Sequence, residues 1–165
     1  MKKIVSYMMT GILLLSFLLT GCGSPEPQTG KKMSMYYINT AETKVEVHEQ
    51  YLNTKTLDEQ LDETMRYLST TPEKLEYKAP LDMGFRVLDY EVEDGKLLIN
   101  VDKAYSELSP TTEVLVRAAI VRTLTQLPNV KYVGITVEDS QLYDNAGEMV
   151  GWMNADQFIN NDGNE

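Results

Sequence analysis

One cysteine and one histidine are all that 165 residues contain. A lone cysteine excludes an intrachain disulfide framework, and the same scarcity removes the raw material for zinc ligand sets, Cys-His nucleophile pairs and most Ser-His-Asp arrangements. Cations are also few. Lys and Arg total 15 against 25 Asp and Glu, a net charge of −10. Nucleic-acid affinity comes largely from cations that displace counterions around phosphates, so a polyanion of this kind is not expected to bind nucleic acid. What the chain has is apolar content: 42% hydrophobic residues in 18.7 kDa supply one ordinary core and too little chain for two full domains.

The N-terminus differs from the rest. Lys2 and Lys3 precede a mostly apolar stretch from Ile4 to Leu19, the pattern of an export signal. Its unbroken apolar part is short for a helix that must cross roughly 30 Å of hydrocarbon at about 1.5 Å per residue, so a removed leader is expected rather than a permanent span. Leu19, Thr20, Gly21 and Cys22 resemble the lipobox of bacterial lipoproteins, in which the cysteine is lipidated and becomes the first residue. Two or more acyl chains, at about 0.8 kcal/mol per buried methylene, give a stable anchor where one myristoyl chain is marginal. Cys22 is therefore read as a tether, holding the protein on the outer face of the cell membrane.

Loss of residues 1–21 takes two lysines from a chain of −10, so the remainder stands at −12. A domain of that sign is repelled by anionic bilayer surfaces. Residues 22–32, with Gly23, Pro25, Pro27 and Gly30, read as a flexible linker that spaces it from the lipid. The folded domain is placed at 33–159, and the polar end 160–165 is expected to be disordered.

Within the domain, Met33, Met35 and Tyr37 alternate with Ser34, Tyr36 and Ile38, and Val45 and Val47 with Glu46 and His48, the period of two short strands. Thr56 and Glu59 have capping-box spacing, and Leu57, Leu61, Met65 and Leu68 share one helical face, which predicts a helix from about Leu57 to Ser69. Leu88, Tyr90 and Val92 alternate before Asp94-Gly95, and Leu97, Ile99 and Val101 after it. This is a hairpin pattern, because Asp-Gly supplies the positive φ of a tight turn. Ser109-Pro110 opens a second helix that runs to about Leu127 and is apolar almost all round, so it should be covered on more than one side. Val133, Ile135 and Val137 form a further strand. The expected class is α+β, a small two-layer sandwich with a mixed or antiparallel sheet of about four to five strands packed against two helices. The second helix is expected to cover Leu88, Tyr90, Leu97 and Ile99.

Four segments carry a resemblance: Ile99-Asn100-Val101-Asp102 with Tyr105; Ala118 to Gln126; Val130 to Ile135; and the tail Gly147, Val150, Gly151 and Asn154 to Ile159. Together they resemble the GerMN domain of exported sporulation and spore germination proteins. The resemblance implies a small α/β module related to the ring-building units of secretion and sporulation assemblies, present here in one copy. It brings no catalytic residue and no cofactor.

The remaining candidates are weighed on their chemistry. Thr123 and Gln126 near the end of the second helix are read as structural, since such groups satisfy local carbonyls and loop amides. Glu138, Asp139, Asp144, Asn145 and Glu148 gather oxygens without EF-hand spacing and are read as a solvated loop, so no metal is expected. The acidic face of Asp58, Glu59, Asp62 and Glu63 suits the helix dipole. Nothing selects Asp102 with Glu107, or Asp89 with Glu91, as the carboxylate pair of a hydrolase. His48 beside Glu49 has no nucleophile or metal partner and is read as surface-facing. Trp152 and Met153 are the candidate partner contacts, although Met149, Met153, Phe158 and Ile159 would most simply pack back on the sheet. The function expected is non-catalytic: a membrane-anchored lipoprotein that binds or scaffolds an envelope protein, or associates with itself, in sporulation or germination. The alternative is a module for a cell-wall glycan or peptide.

Overall fold

The computed structural model describes residues 30–71, 76–144 and 146–158. Cys22, Leu19, Thr20, Gly21, the linker to residue 29 and the end from Ile159 lie outside the described residues.

β1 (Lys31–Asn39) and β2 (Val45–Leu52) pair antiparallel from Lys31↔Leu52 to Ile38↔Val45. The alternation in β1 buries Met33, Met35 and Tyr37. α1 (Leu57–Leu68) begins at Thr56, whose hydroxyl accepts from Glu59 N while the Glu59 carboxylate accepts from Thr56 N. These two bonds satisfy two of the orphan amide donors of the first turn. The Thr56 amide, first of all, also holds the Glu59 carboxyl below its usual range. The face of Leu61, Met65 and Leu68 is buried.

A two-residue strand, β3 (Tyr77–Lys78), pairs with the far end of β1 at Ile38 and Asn39. β4 (Val87–Glu93) and β5 (Lys96–Val101) form the hairpin expected from Asp94-Gly95, whose φ values of 50° and 81° are those a two-residue turn needs. A short 3-10 turn, η1 (Lys103–Glu107), leads to α2 (Pro110–Leu124), capped by the Ser109 hydroxyl. β6 (Tyr132–Val137) then returns parallel to β5, closing a β-α-β crossover. β7 (Ser140–Gln141) hairpins back on β6 through Glu138 and Asp139, both at positive φ. A last 3-10 turn, η2, spans Ala155–Gln157.

The class is α+β, with the strands divided between two sheets, β2-β1-β3 and β4-β5-β6-β7. α2 lies chiefly against β1 and also touches β2, β6, α1 and η2. Being covered on several sides explains its apolar residues all round: Val116, Ala118, Ala119, Ile120, Val121 and Leu124 are all buried. The expectation that this helix chiefly covers Leu88, Tyr90, Leu97 and Ile99 is corrected: its main contact is β1 of the other sheet, Tyr90 reaches Asp62 on α1, and Leu88 is 48% exposed. A bulge between Val87 and Asp89 shifts the register there, and a shift of one residue turns a side chain to the opposite face. Leu97 and Ile99, past the bulge, are buried as the alternation requires.

Beneath the start of α2 lies a buried polar cluster. The Tyr105 hydroxyl donates to Glu113 Oε1 at 3.0 Å, and Arg117 approaches the same carboxylate at 2.6 and 2.9 Å. Phe85 packs edge-on against the Tyr105 ring. Burial, followed by the Glu113 charge, pushes the Tyr105 phenol well above its ordinary value.

Candidate functional site

The resemblance-bearing residues have architectural roles. Asn100 is 4% exposed although it sits on the outer face of the four-stranded sheet. Its amide donates to Asp89 on β4 and to Asp139, and its carbonyl accepts from Asp139 N. One side chain thus ties the edge strand to the β6–β7 turn. Asp102 accepts from Arg86 N and Nε, and that guanidinium first of all holds its carboxyl below the usual carboxylate range. A carboxylate so engaged is not a free general base.

At the other end of α2, Thr123 Oγ1 accepts from Tyr36 N, and Gln126 both accepts from Ser34 N and donates to Ser34 O. β3 covers only the end of β1, so Ser34 and Tyr36 stand where a neighbouring strand would be, and the helix supplies its side chains instead. The Gln126 amide imitates a peptide group of the missing strand. Arg122 lies over the Tyr36 ring at 4.1 Å.

In the acidic loop, Asp144 Oδ1 accepts from Ala146 N and Glu148 N, which makes its carboxylate part of the turn. Asn145 lies outside the described residues. Among the described residues, no three His, Cys, Asp or Glu side chains converge as metal ligands. His48 is half-buried opposite Met35, and Glu49 pairs with Lys32.

The outer face of the four-stranded sheet is different. Its register forms three rows: Asp89, Asn100 and Thr136; Glu91, Leu98 and Gly134; Glu93, Lys96 and Tyr132. On the middle row the Trp152 ring occupies the space left by Gly134. A Cβ there would meet Trp152 Cζ3 at 2.8 Å and Leu98 Cδ1 at 3.2 Å. The backbone on both sides of Trp152 is clamped. Val150 N donates to Leu142 O, while Met153 exchanges two hydrogen bonds with Val133 at the edge of β6. Met153 itself is buried at 5%, so it belongs to the core and offers nothing to a partner, whereas Trp152 remains 42% exposed. Met149, expected to pack inward, is 61% exposed beyond the bridge of Tyr143 with Met149, and Phe158 is half-buried against the core.

Lys96 Nζ stands 5.3 Å from the Trp152 ring centroid. Glu91, Glu93, Asp94, Lys96, Leu98 and Trp152 together line a shallow concavity of about 250 Å³. Trp152 was legible as a candidate because it is the sole tryptophan; Gly134 and the glutamates of β4 were not, since only the pairing of three strands brings them together. The arrangement can bind but contains no nucleophile-base pair. Among the described residues no helix is long and apolar enough to cross a membrane.

Comparison with known proteins places this geometry. The model of a family described as Germane, sporulation and spore germination, matches residues 34–143. Among solved structures, the tandem GerMN domains of the sporulation protein GerM from Bacillus subtilis superpose with a TM-score of 0.54 at 18% identity, over 82% of this chain and 49% of that one. The first GerMN domain of GerM from the same organism gives 0.56 at 14% identity, over 73% of this chain and 94% of that one. The chain thus spans about half the length of the tandem structure. No curated protein sequence is significantly similar to it.

Proposed function

Because the chain belongs to the Germane family of sporulation and spore germination domains, we propose that it is a non-catalytic extracytoplasmic lipoprotein whose GerMN-like domain binds or scaffolds another protein of the cell envelope, in sporulation or germination. The anchor is Cys22, and the sequence Leu19-Thr20-Gly21 before it supports that reading. The observation that carries the binding role is Trp152. An indole left 42% exposed on backbone fixed at Val150 and Met153 is a rigid aromatic surface, the kind of residue that dominates protein interfaces at little entropic cost.

Two measurements test the reading. Cys22→Ala should abolish incorporation of a palmitate analogue and release the protein or leave an unprocessed precursor; continued labelling removes the anchor. Affinity capture from detergent extracts, compared with binding to isolated cell wall, addresses the partner. Protein recovered by the native chain and lost in Trp152→Ala supports scaffolding, whereas recovery only with wall material replaces it with binding of a glycan or peptide.

A further inference from the structure

We propose that the β4 side of the four-stranded sheet receives an extended, lysine- or arginine-bearing segment of the partner protein, laid along β4 with one long basic side chain passing beside Trp152 to Glu91 and Glu93. This rests on the protein-binding reading above and adds the chemistry of what is bound.

The free edges decide the place. β1 is plugged by Thr123 and Gln126, and the edge of β6 is covered by β7 and by Met153. Apart from the two-residue strands β3 and β7, that leaves β2 and β4 as the outer strands of the two sheets. On β2, Glu46 and Glu49 are already paired with Lys44 and Lys32. On β4, Glu91 and Glu93 make no hydrogen bond or ion pair among the described residues. The edge that lacks a neighbour thus also carries two carboxylates, those of Glu91 and Glu93, that lack one.

Charge then selects the occupant. A second copy pairing β4 to β4 would set Asp89, Glu91 and Glu93 against their own kind, and like charges across a strand pair are destabilising. A basic strand reverses that sign. Glu91 and Glu93 are two residues apart on one face, about 6.8 Å at 3.4 Å per residue, so alternate Lys or Arg residues of an added strand match them.

The concavity beside them suits one such side chain. Leu98 and the part of the indole that Lys96 leaves exposed take its aliphatic stem, and the glutamates receive its head. A sugar is served less well. The rim of Glu91, Glu93 and Asp94 offers acceptors only, and beside the indole N–H the one donor is Lys96, which lies over the indole.

Trp152 is the only tryptophan, so the emission of the full chain in detergent reports this surface directly. The probes are an alternating Lys-Thr octapeptide, an alternating Glu-Thr octapeptide and an N-acetylglucosamine oligomer. The Lys-Thr peptide should shift the emission saturably, with affinity falling about tenfold or more between 50 and 500 mM salt, as screening requires. Glu91→Gln with Glu93→Gln should weaken it by about tenfold, while the charge-matched pair Asp58→Asn with Glu107→Gln should stay within about twofold. Equal weakening by both pairs reduces the effect to overall charge and overturns the proposal. A response to the Glu-Thr peptide or to the sugar in place of Lys-Thr, or no response to any probe, also overturns it. Capture through Trp152 that persists alongside any of those results leaves the scaffolding reading standing and removes only the basic segment.

Discussion

The two sheets treat their exposed backbone in opposite ways. In the three-stranded sheet, the gap beside Ser34 and Tyr36 is filled by Gln126 and Thr123, just past and at the end of a helix, 92 and 87 residues away in sequence. In the four-stranded sheet, β4 has no neighbour beyond β5, and it carries a bulge at its start and carboxylates along its length. Bulges and charges are the usual means of keeping an open edge from pairing indiscriminately. One edge is closed by the protein's own side chains, and the other is left open but charged. Residues that carry a family resemblance can therefore serve the fold at one edge while the proposed binding surface lies at another.

The contrast is most exposed to attack at Gln126. Gln126→Leu leaves Ser34 N–H and C=O without their partners and should cost about 2–6 kcal/mol in urea unfolding, since each orphaned group costs about 1–3. It should also produce concentration-dependent association in sedimentation, because the freed edge of β1 lacks the acidic guard of β4. A variant as stable and as monomeric as the parent would show that the seal does nothing. Thr123→Val keeps the shape but removes the acceptor for Tyr36 N, with an expected loss of about 1–3 kcal/mol. Its effect should not add simply to that of Gln126→Leu, because both act on the same strand.

On the open side the changes are smaller. Gly134→Ala sets the close approach to Trp152 against the backbone entropy that alanine saves, for a net cost of about 1 kcal/mol. The telling readout is a red shift of tryptophan emission as the ring is lifted from the sheet; unchanged emission would mean that the indole is not seated on that glycine. The smallest effect belongs to Tyr90, which ties β4 to α1. Its hydroxyl donates to Asp62 at 2.7 Å, and that bond, then burial, then the Asp62 charge push the phenol up to about 12. A raised value means that the contribution is complete below pH 10 and fades as pH rises from 10 to 12. Stability profiles of the parent and Tyr90→Phe should therefore differ below pH 10 and converge above 12.

Local signals foretold local structure well. Thr56 with Glu59, Ser109 with Pro110, and Asp94 with Gly95 each state a cap or a turn within a few residues, and each is found where the pattern puts it. The alternation in β1, β5 and β6 likewise marks the buried faces. What could not be read is set by distance. Tyr77 and Lys78 become a strand only because β1 is there to pair with, and two residues have no period of their own. Leu88 continues a perfect alternation, yet a bulge turns it outward. The partition of the strands into two sheets, and the seating of α2 on β1, depend on which surfaces meet. Thr123 and Gln126 were legible as structural groups, but not as stand-ins for a strand. The same limit separated Trp152, visible as a lone aromatic, from the glycine and glutamates that surround it.

The bond between Gln126 and Ser34 also imposes an order of events. A ribosome releases the first strand long before the helix that completes it, and at about 5–20 residues per second the interval across 92 residues is about 5–20 s. Throughout that time the nascent segment can pair with Val45–Leu52 on one flank only. The earliest strand of the domain to be made therefore waits for residue 126 before its second flank is closed, and a chain that leaves the ribosome's reach before then does so with that flank still bare.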